Sequence, residues 1–445
     1  MKLFFSFKQA VYFRQAWQLL KQHRLFSAFY LAGTALAIAM TLTMAVTYYV
    51  KMAPVYPEVN RSRTLYLEKV SFQSPNNQWQ YVVSYQAVKE WFYPLQHARC
   101  VSAQYQDRRV TESYIQLADQ RGDLKVSPQF VDPAFFQIYA FQFHEGAPFT
   151  QADWESGLCV AVITDALARR LFGRTRDVVG QTFSMNFVTY RVCGVVRAAS
   201  YLTSQSYAEV YIPYSALPGY DRSESDELPY YGPYRLTFLV DDARQAEALK
   251  QEVRDLVHKV NHSEALGDWK VNFYNQPRTH LLKVFQGWDM QDEFDVWATV
   301  RSFLLIGLVL LLVPALNLSG MIASRMEGRL AEMGVRQAFG ASRRTLLSQV
   351  MAENLLLTLL GSFFGLVLAW FFLYAGRHWV FMLFDEWSMF PSESVDVQVS
   401  GEVLFAPAVF LMALLVCLLL NLLSALIPAW HALRRPLVQS LNEKK

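Results

Sequence analysis

Apolar residues follow two different rhythms along this chain. Four stretches are continuously apolar: Phe26 to Val50, with no charge between Arg24 and Lys51, and then roughly residues 303–323, 355–375 and 403–430. A helix of about 20 apolar residues crosses a bilayer, so each stretch predicts a transmembrane span. Residues 51–298 carry the second rhythm. Arg63–Phe72 and Val101–Thr111 alternate as strands do, whereas Ser84–His97 puts Val88, Trp91, Phe92 and Leu95 on one helical side. A similar set follows much later: a strand over Arg235–Val240, Asp241 and Asp242 as candidate N-caps, a helix over Ala243–Val260 facing inward with Ala246, Leu249, Val253 and Val257, and a strand over Trp269–Tyr274. The expected fold is an integral membrane protein with four transmembrane α-helices and a large α+β extracytoplasmic domain. That domain is expected to be a split βαβ, porter-like part with an inserted β-rich part.

Charge decides which side each connection faces. Lys2, Lys8, Arg14, Lys21 and Arg24 precede the first span with no acidic residue among them. Arg325, Arg329, Arg336, Arg343 and Arg344 follow the second span, and Arg434, Arg435, Lys444 and Lys445 close the chain. Residues 376–402 instead carry Asp385, Glu386, Glu393 and Asp396 beside a lone arginine, Arg377. Positive residues accumulate on the cytoplasmic side, so both termini are expected inside a bacterial inner membrane. The expected segments are a cytoplasmic amphipathic helix (1–25), spans at 26–50, 299–323, 351–375 and 403–430, an outer domain (51–298), a cytoplasmic loop (324–350), a short outer loop (376–402) and a cytoplasmic tail (431–445). Phe4, Phe7, Val11, Trp17 and Leu20 interleave with Lys8, Gln15, Gln18, Lys21 and Gln22, which suits a helix in the headgroup region better than a free tail. A cleaved signal peptide is the alternative for the first apolar run, but signal cores span only about 7 to 15 residues.

Composition agrees with a membrane protein that has a large folded part. Of 445 residues, 53% are hydrophobic and only 18% charged, against about 25% charged in soluble domains. A net charge of +3 gives no reason to expect nucleic acid. No catalytic constellation emerges. His258 and His262 stand four apart on a predicted helix without companion ligands, which favours a solvated helix face over a metal site. Cys100, Cys159 and Cys193 fall in the outer domain, where a Cys159–Cys193 disulfide and buried free thiols are both open readings. The first, third and fourth predicted spans carry no mid-span charge that would mark an ion path, Glu353 lying at the entrance of the third. Gly361 and Gly365 form a small-residue face suited to close helix packing, and Asn317, Asn421, Pro314 and Pro428 vary the other spans.

Residues 325–353, RMEGRLAEMGVRQAFGASRRTLLSQVMAE, are the most informative stretch. A basic loop that only fixes topology is the plain reading. Its register, however, resembles the coupling loop of the MacB/FtsX-like permeases of ABC systems, through Glu332, Gly334, Val335, Arg336, Gly340, Ala341, Ser342 and Glu353, with Arg343 and Arg344 adding charge. The outer region resembles the periplasmic core of the same family at Val126-Ser127, Phe135-Phe136, Glu145 to Phe149, Val160 to Thr164, Ala168 to Gly173, Val179 to Gln181 and Val195, with residues 200–235 matching least. Within it, Gly146 and Gly173 are expected at turns, Thr164 or Asp165 as a helix cap, and Tyr190–Val196 as a buried strand with a glycine defect.

The resemblance implies a permease subunit that couples ATP hydrolysis to motion of its periplasmic domain, for export or extraction of a lipoprotein, peptide, antimicrobial or toxin. No G-x-x-x-x-G-K-[ST] phosphate loop occurs in these residues, so ATP and magnesium are expected on a cytoplasmic ABC ATPase dimer, as in the lipoprotein-release and FtsX systems. Other implied partners are a second permease chain, identical or paralogous, membrane lipid, and a periplasmic or outer-membrane protein. Two alternatives belong to other classes: a membrane-anchored sensor or regulatory module without transport, as in FtsX-like control of cell-wall enzymes, and an envelope enzyme.

Overall fold

The computed structural model of the protein describes residues 24–106, 113–116, 123–200, 203–286, 295, 297–302, 304–309, 312, 335–375 and 407–434. They fall into two compact units. One lies within residues 24–49, 297–375 and 407–434; the other runs from Val50 to residue 295. Residues 1–23 of the predicted amphipathic segment, the loop at 376–402 and the tail beyond residue 434 lie outside the described residues.

The second unit is built on one continuous hydrogen-bonded sheet. Its first strands are β1 (Thr64–Leu67), β2 (Val70–Gln73) and β3 (Gln78–Val83), followed by a short helix α2 (Tyr85–Ala87, continuing as a wide turn over Val88–Phe92) and β4 (Cys100–Tyr105). The later set is β13 (Tyr231–Gly232), β14 (Tyr234–Leu239), α6 (Ala243–Asn261), β15 (Lys270–Asn272), β16 (Arg278–Thr279) and α7 (His280–Gln286). β14 pairs antiparallel with both β1 and β4, so the late strand slots between two early ones. This is the split βαβ arrangement that the two separated sequence sets predict. Between them come β5 (Ser113–Gln116), β6 (Asp123–Val126), β7 (Pro128–Val131), α3 (Phe135–Ile138), β8 (Phe143–Gly146), α4 (Gln151–Glu155), β9 (Val160–Thr164), α5 (Asp165–Phe172), β10 (Thr182–Met185), β11 (Val188–Val196) and β12 (Val210–Pro213). The insertion joins the sheet where β4 meets β7.

Alternation along β1, β14 and β4 sends Leu65, Leu67, Leu236, Phe238 and Ala103 into one core with Val88, Trp91, Phe92, Leu249 and Val253 from α2 and α6. Asp242 caps α6 by accepting from Gln245 N at 2.8 Å, and Thr164 caps α5 by accepting from Leu167 N at 3.3 Å. The other face of the same strands is mixed, with Thr64, Ser102, Gln104 and Thr237 beside Tyr66 and Leu239. There Glu68 receives Arg278 Nη2 at 3.1 Å and also pairs with Lys283 of α7. Burial works against the Glu68 charge, but Lys283 and Arg278 outweigh it and hold the carboxyl down at about 2.

Several predicted boundaries move, each for a local reason. Arg63–Phe72 is two strands, because the Gln276 side chain takes the place of a strand partner at Glu68 N (2.7 Å) and at Lys69 O. The helix expected over Ser84–His97 ends at Phe92, where Tyr93 N bonds back to Val88 O at 3.0 Å and Pro94 follows. The last strand shortens to Lys270–Asn272, since Tyr274 and Asn275 take positive φ (49° and 59°). Gly146 and Gly173 do turn the chain, with φ of 70° and 69°. The glycine defect in β11 is a register shift between Val192 and Gly194.

In the first unit, α1 (Arg24–Met52), α8 (Arg343–Ala375) and α9 (Pro407–Arg434) are long helices. Among the described residues, Ser27–Met52 and Arg343–Ala375 are long and apolar enough to cross a bilayer, with mean hydropathies of 1.8 and 2.3. Residues 297–302 and 304–309 are helical at the start of the predicted second span, most of whose length lies outside the described residues.

Candidate functional site

The basic segment folds into an elbow. Residues 335–338 are helical, and the turn that ends them is closed by two reverse bonds, Ala341 N to Arg336 O at 3.0 Å and Gly340 N to Gln337 O at 2.9 Å. These bonds form a Schellman motif with glycine at its left-handed position. Gly340 has φ of 92°, and a Cβ there would meet nothing within 4 Å, so backbone conformation and not space calls for glycine. Ser342 then caps the next helix by accepting from Thr345 N at 3.2 Å. α8 therefore starts at Arg343, ahead of the expected span boundary at residue 351.

The three arginines of the elbow are not equivalent. Arg343 and Arg344 are exposed on the first turn of α8. Arg336 points back instead, donating to Gln349 Oε1 at 3.0 Å, and Gln349 Nε2 donates to Glu353 Oε1 at 3.3 Å. Gln349 and Glu353 are buried, so this polar chain ties the turn to the body of the helix. Beside Gly340, Phe339 is 89% exposed. Ala341 and Ser342 complete the elbow, whereas Glu332 and Gly334 lie outside the described residues.

Sequence reading missed Phe339 and Gln349. An apolar ring beside Gly340-Ala341 in a charged loop is a usable signal for the first. The i, i+4 spacing of Gln349 and Glu353 is one for the second.

Farther along α8, Gly361 and Gly365 lie against α1. A Cβ on Gly361 would stand 2.9 Å from Thr34 Cβ, and one on Gly365 would stand 2.9 Å from both Ala35 O and Ile38 Cβ. Tyr30 and Thr358 hydroxyls meet at 3.1 Å in the same contact. The two glycines thus leave room for close approach of the helix backbones.

Elsewhere, His258 and His262 are exposed, with His262 Nδ1 2.7 Å from His258 O. No cluster of metal-ligating side chains occurs among the described residues. Cys100, Cys159 and Cys193 are free thiols. Cys193 Sγ is turned to Ala161 O at 3.4 Å, and burial raises its pKa to about 12, which keeps it protonated and unreactive. Among the described residues, the basic segment thus presents one exposed ring and two exposed arginines on a turn braced from behind.

Residues 27–256 match the MacB-like periplasmic core domain, and residues 304–437 match the FtsX-like permease C-terminal region. Similar relatives include the pyoverdine export ATP-binding/permease protein PvdT of Pseudomonas syringae pv. syringae (strain B728a), 27% identical over 54% of this chain and 34% of its own length. Another is the macrolide export ATP-binding/permease protein MacB of Escherichia coli (strain K12), 24% identical over 72% of this chain and 44% of that protein. The chain thus spans less than half the length of these relatives. The periplasmic region of MacB from Actinobacillus actinomycetemcomitans superimposes with a TM-score of 0.29 at 12% identity, covering 47% of this chain and 89% of that one. With the two matches in chain order, and the first alone covering more than half of the sequence, the chain belongs to the MacB/FtsX-like permease family.

Proposed function

We propose that this chain is the membrane-spanning subunit of an ABC complex in the bacterial inner membrane. It crosses the membrane four times, with both termini and the elbow in the cytoplasm and the sheet domain outside. Nucleotide is hydrolysed by a domain outside these 445 residues. Two permease chains, identical or paralogous, work with two ATPase domains, one elbow to each ATPase groove.

The elbow is the observation that supports this reading most. Phe339, Arg343 and Arg344 are turned outward, while Arg336, Gln349 and Glu353 brace the turn from behind. Exposed arginines suit carboxylates on a partner, and an exposed ring suits an apolar slot. A push on such a braced turn passes into α8 and is not absorbed locally. PvdT and MacB are named for export of pyoverdine and of macrolides, which favours an envelope substrate moved outward here as well.

The test is purification of the chain in mild detergent with whatever ATPase accompanies it, followed by ATPase assays on the complex. Arg343→Glu with Arg344→Glu should leave the protein in the membrane and abolish its effect on ATP hydrolysis. Wild-type stimulation by that variant, correctly inserted, would remove the elbow from the mechanism. Fusion reporters at residues 120 and 390 should read outside, and those at residue 338 and the C-terminus inside.

A further inference from the structure

The last turn of α1, from Val50 onward, belongs to the sheet domain. A helix C-terminus leaves its final carbonyls without intrahelical partners. Here one guanidinium gathers them: Arg61 Nη1 donates to Val50 O at 2.8 Å, Lys51 O at 3.2 Å and Ala53 O at 2.7 Å. His280 adds a fourth bond, Nε2 to Lys51 O at 2.8 Å. A carbonyl can only accept, so Nε2 carries the hydrogen, and Nδ1 is left to accept from the Tyr66 hydroxyl at 3.3 Å.

Arg61 is held in turn. Its Nε donates to Glu58 Oε2 at 2.9 Å, and Glu58 Oε1 accepts from Gln205 N (3.1 Å), Ser206 N (3.1 Å) and Ser206 Oγ (3.0 Å). Arg61 is 4% exposed and Glu58 2%. Three separate parts of the domain therefore close on the helix end: the segment after α1, the connection between β11 and β12, and the start of α7. A cation at this terminus also complements the helix dipole.

We propose that Arg61, Glu58 and His280 fix the end of α1 within the sheet domain so that ATP-driven movement of the helix reaches that domain, acting as positioning residues; the inference rests on the ABC-permease reading given under Proposed function. A flexible tether would let the last turn of α1 rotate or slide free of the residues that follow it. This collar forbids either motion unless a buried charge-assisted bond breaks.

The experiment uses the full permease–ATPase complex in liposomes, with spin labels on the exposed Cys159 of paired chains as the sole cysteine. Distances are measured with and without ATP. In Glu58→Gln with Arg61→Gln, which removes both charges together, ATP hydrolysis should stay at the wild-type level while the ATP-dependent distance change falls by about twofold or more. His280→Leu should act in the same direction, and His280→Gln, which keeps an N–H donor, should restore the change. This pair decides the matter if the double variant fails to fold. A role limited to stability would lower hydrolysis and displacement together and would not separate Leu from Gln at position 280. Wild-type displacement in both the double variant and His280→Leu would overturn the joint and leave the permease reading standing. No displacement in the wild-type complex, with hydrolysis intact, would overturn the transmission reading and the joint with it.

Discussion

The elbow around Gly340 and the collar around Arg61 both surround a helix end, yet they are built in opposite ways. At the elbow the helix start is capped locally by Ser342, and Phe339, Arg343 and Arg344 face solvent. At the collar nearly every polar group is buried and engaged by another part of the same chain. A surface meant for a partner leaves charge and apolar area unspent, since those groups gain most when the partner covers them. A joint within one chain does the reverse, because an unpaired buried charge would weaken it. The contrast predicts that damage at the elbow acts on the ATPase, whereas damage in and around the collar leaves ATPase association alone and acts within the chain, on displacement of the sheet domain and on its stability.

The largest effect should come from the ion cluster beside the collar. Glu68→Gln leaves Arg278 and Lys283 without their shared carboxylate and should destabilise the sheet domain by about 3 kcal/mol, read from denaturant midpoints. Next comes acid. Burial, reinforced by Arg61, lowers the His280 pKa to about 4, whereas an unfolded histidine titrates near 6.5. At this group the unfolded chain therefore binds more protons between these values, and the His280 contribution to stability falls as pH drops through that window, while buried Asp132, raised to about 6, works the other way. From pH 7 to pH 5 the His280 share of that change should be about 2 kcal/mol, read as the difference in pH dependence between wild type and His280→Gln. Glu68 acts lower: its contribution is complete above its ordinary range and disappears as pH falls toward about 2.

Elbow variants should behave differently. Gly340→Val forces a β-branched residue to φ of 92° and should cost about 1–2 kcal/mol locally, yet it should cut ATPase stimulation severely. Phe339→Ala should change stability by less than about 0.5 kcal/mol while still weakening ATPase association, measured by co-purification. A Phe339→Ala chain that unfolds early, or a Glu68→Gln chain as stable as wild type, would erase the distinction between the two regions.

The elbow was legible in the sequence and the collar was not. Gly340-Ala341-Ser342, the arginines and the Glu353 that follows lie within a few turns of one another, so local rules of capping and turn chemistry reach them. The Gln205 and Ser206 groups that hold Glu58 are 147 and 148 positions away from it, and Lys51 and His280 are 229 apart. No periodicity connects such positions. For the same reason the split βαβ could be seen as two sets of elements, while the seating of β14 between β1 and β4 could not. The break after Leu67 was hidden too, because it depends on Gln276 reaching across from the far end of the domain.

The close glycine contact of α8 with α1 has a consequence of leverage. With 33 residues, α8 is a beam of roughly 50 Å, well beyond the hydrocarbon thickness of about 30 Å. Gly361 and Gly365 place its contact with Thr34, Ala35 and Ile38 near mid-length and close to the helix axis. A tilting helix would use such a contact as a fulcrum. A tilt of about 5° there would swing the Arg343 end by roughly 2 Å, and the opposite end would move the other way.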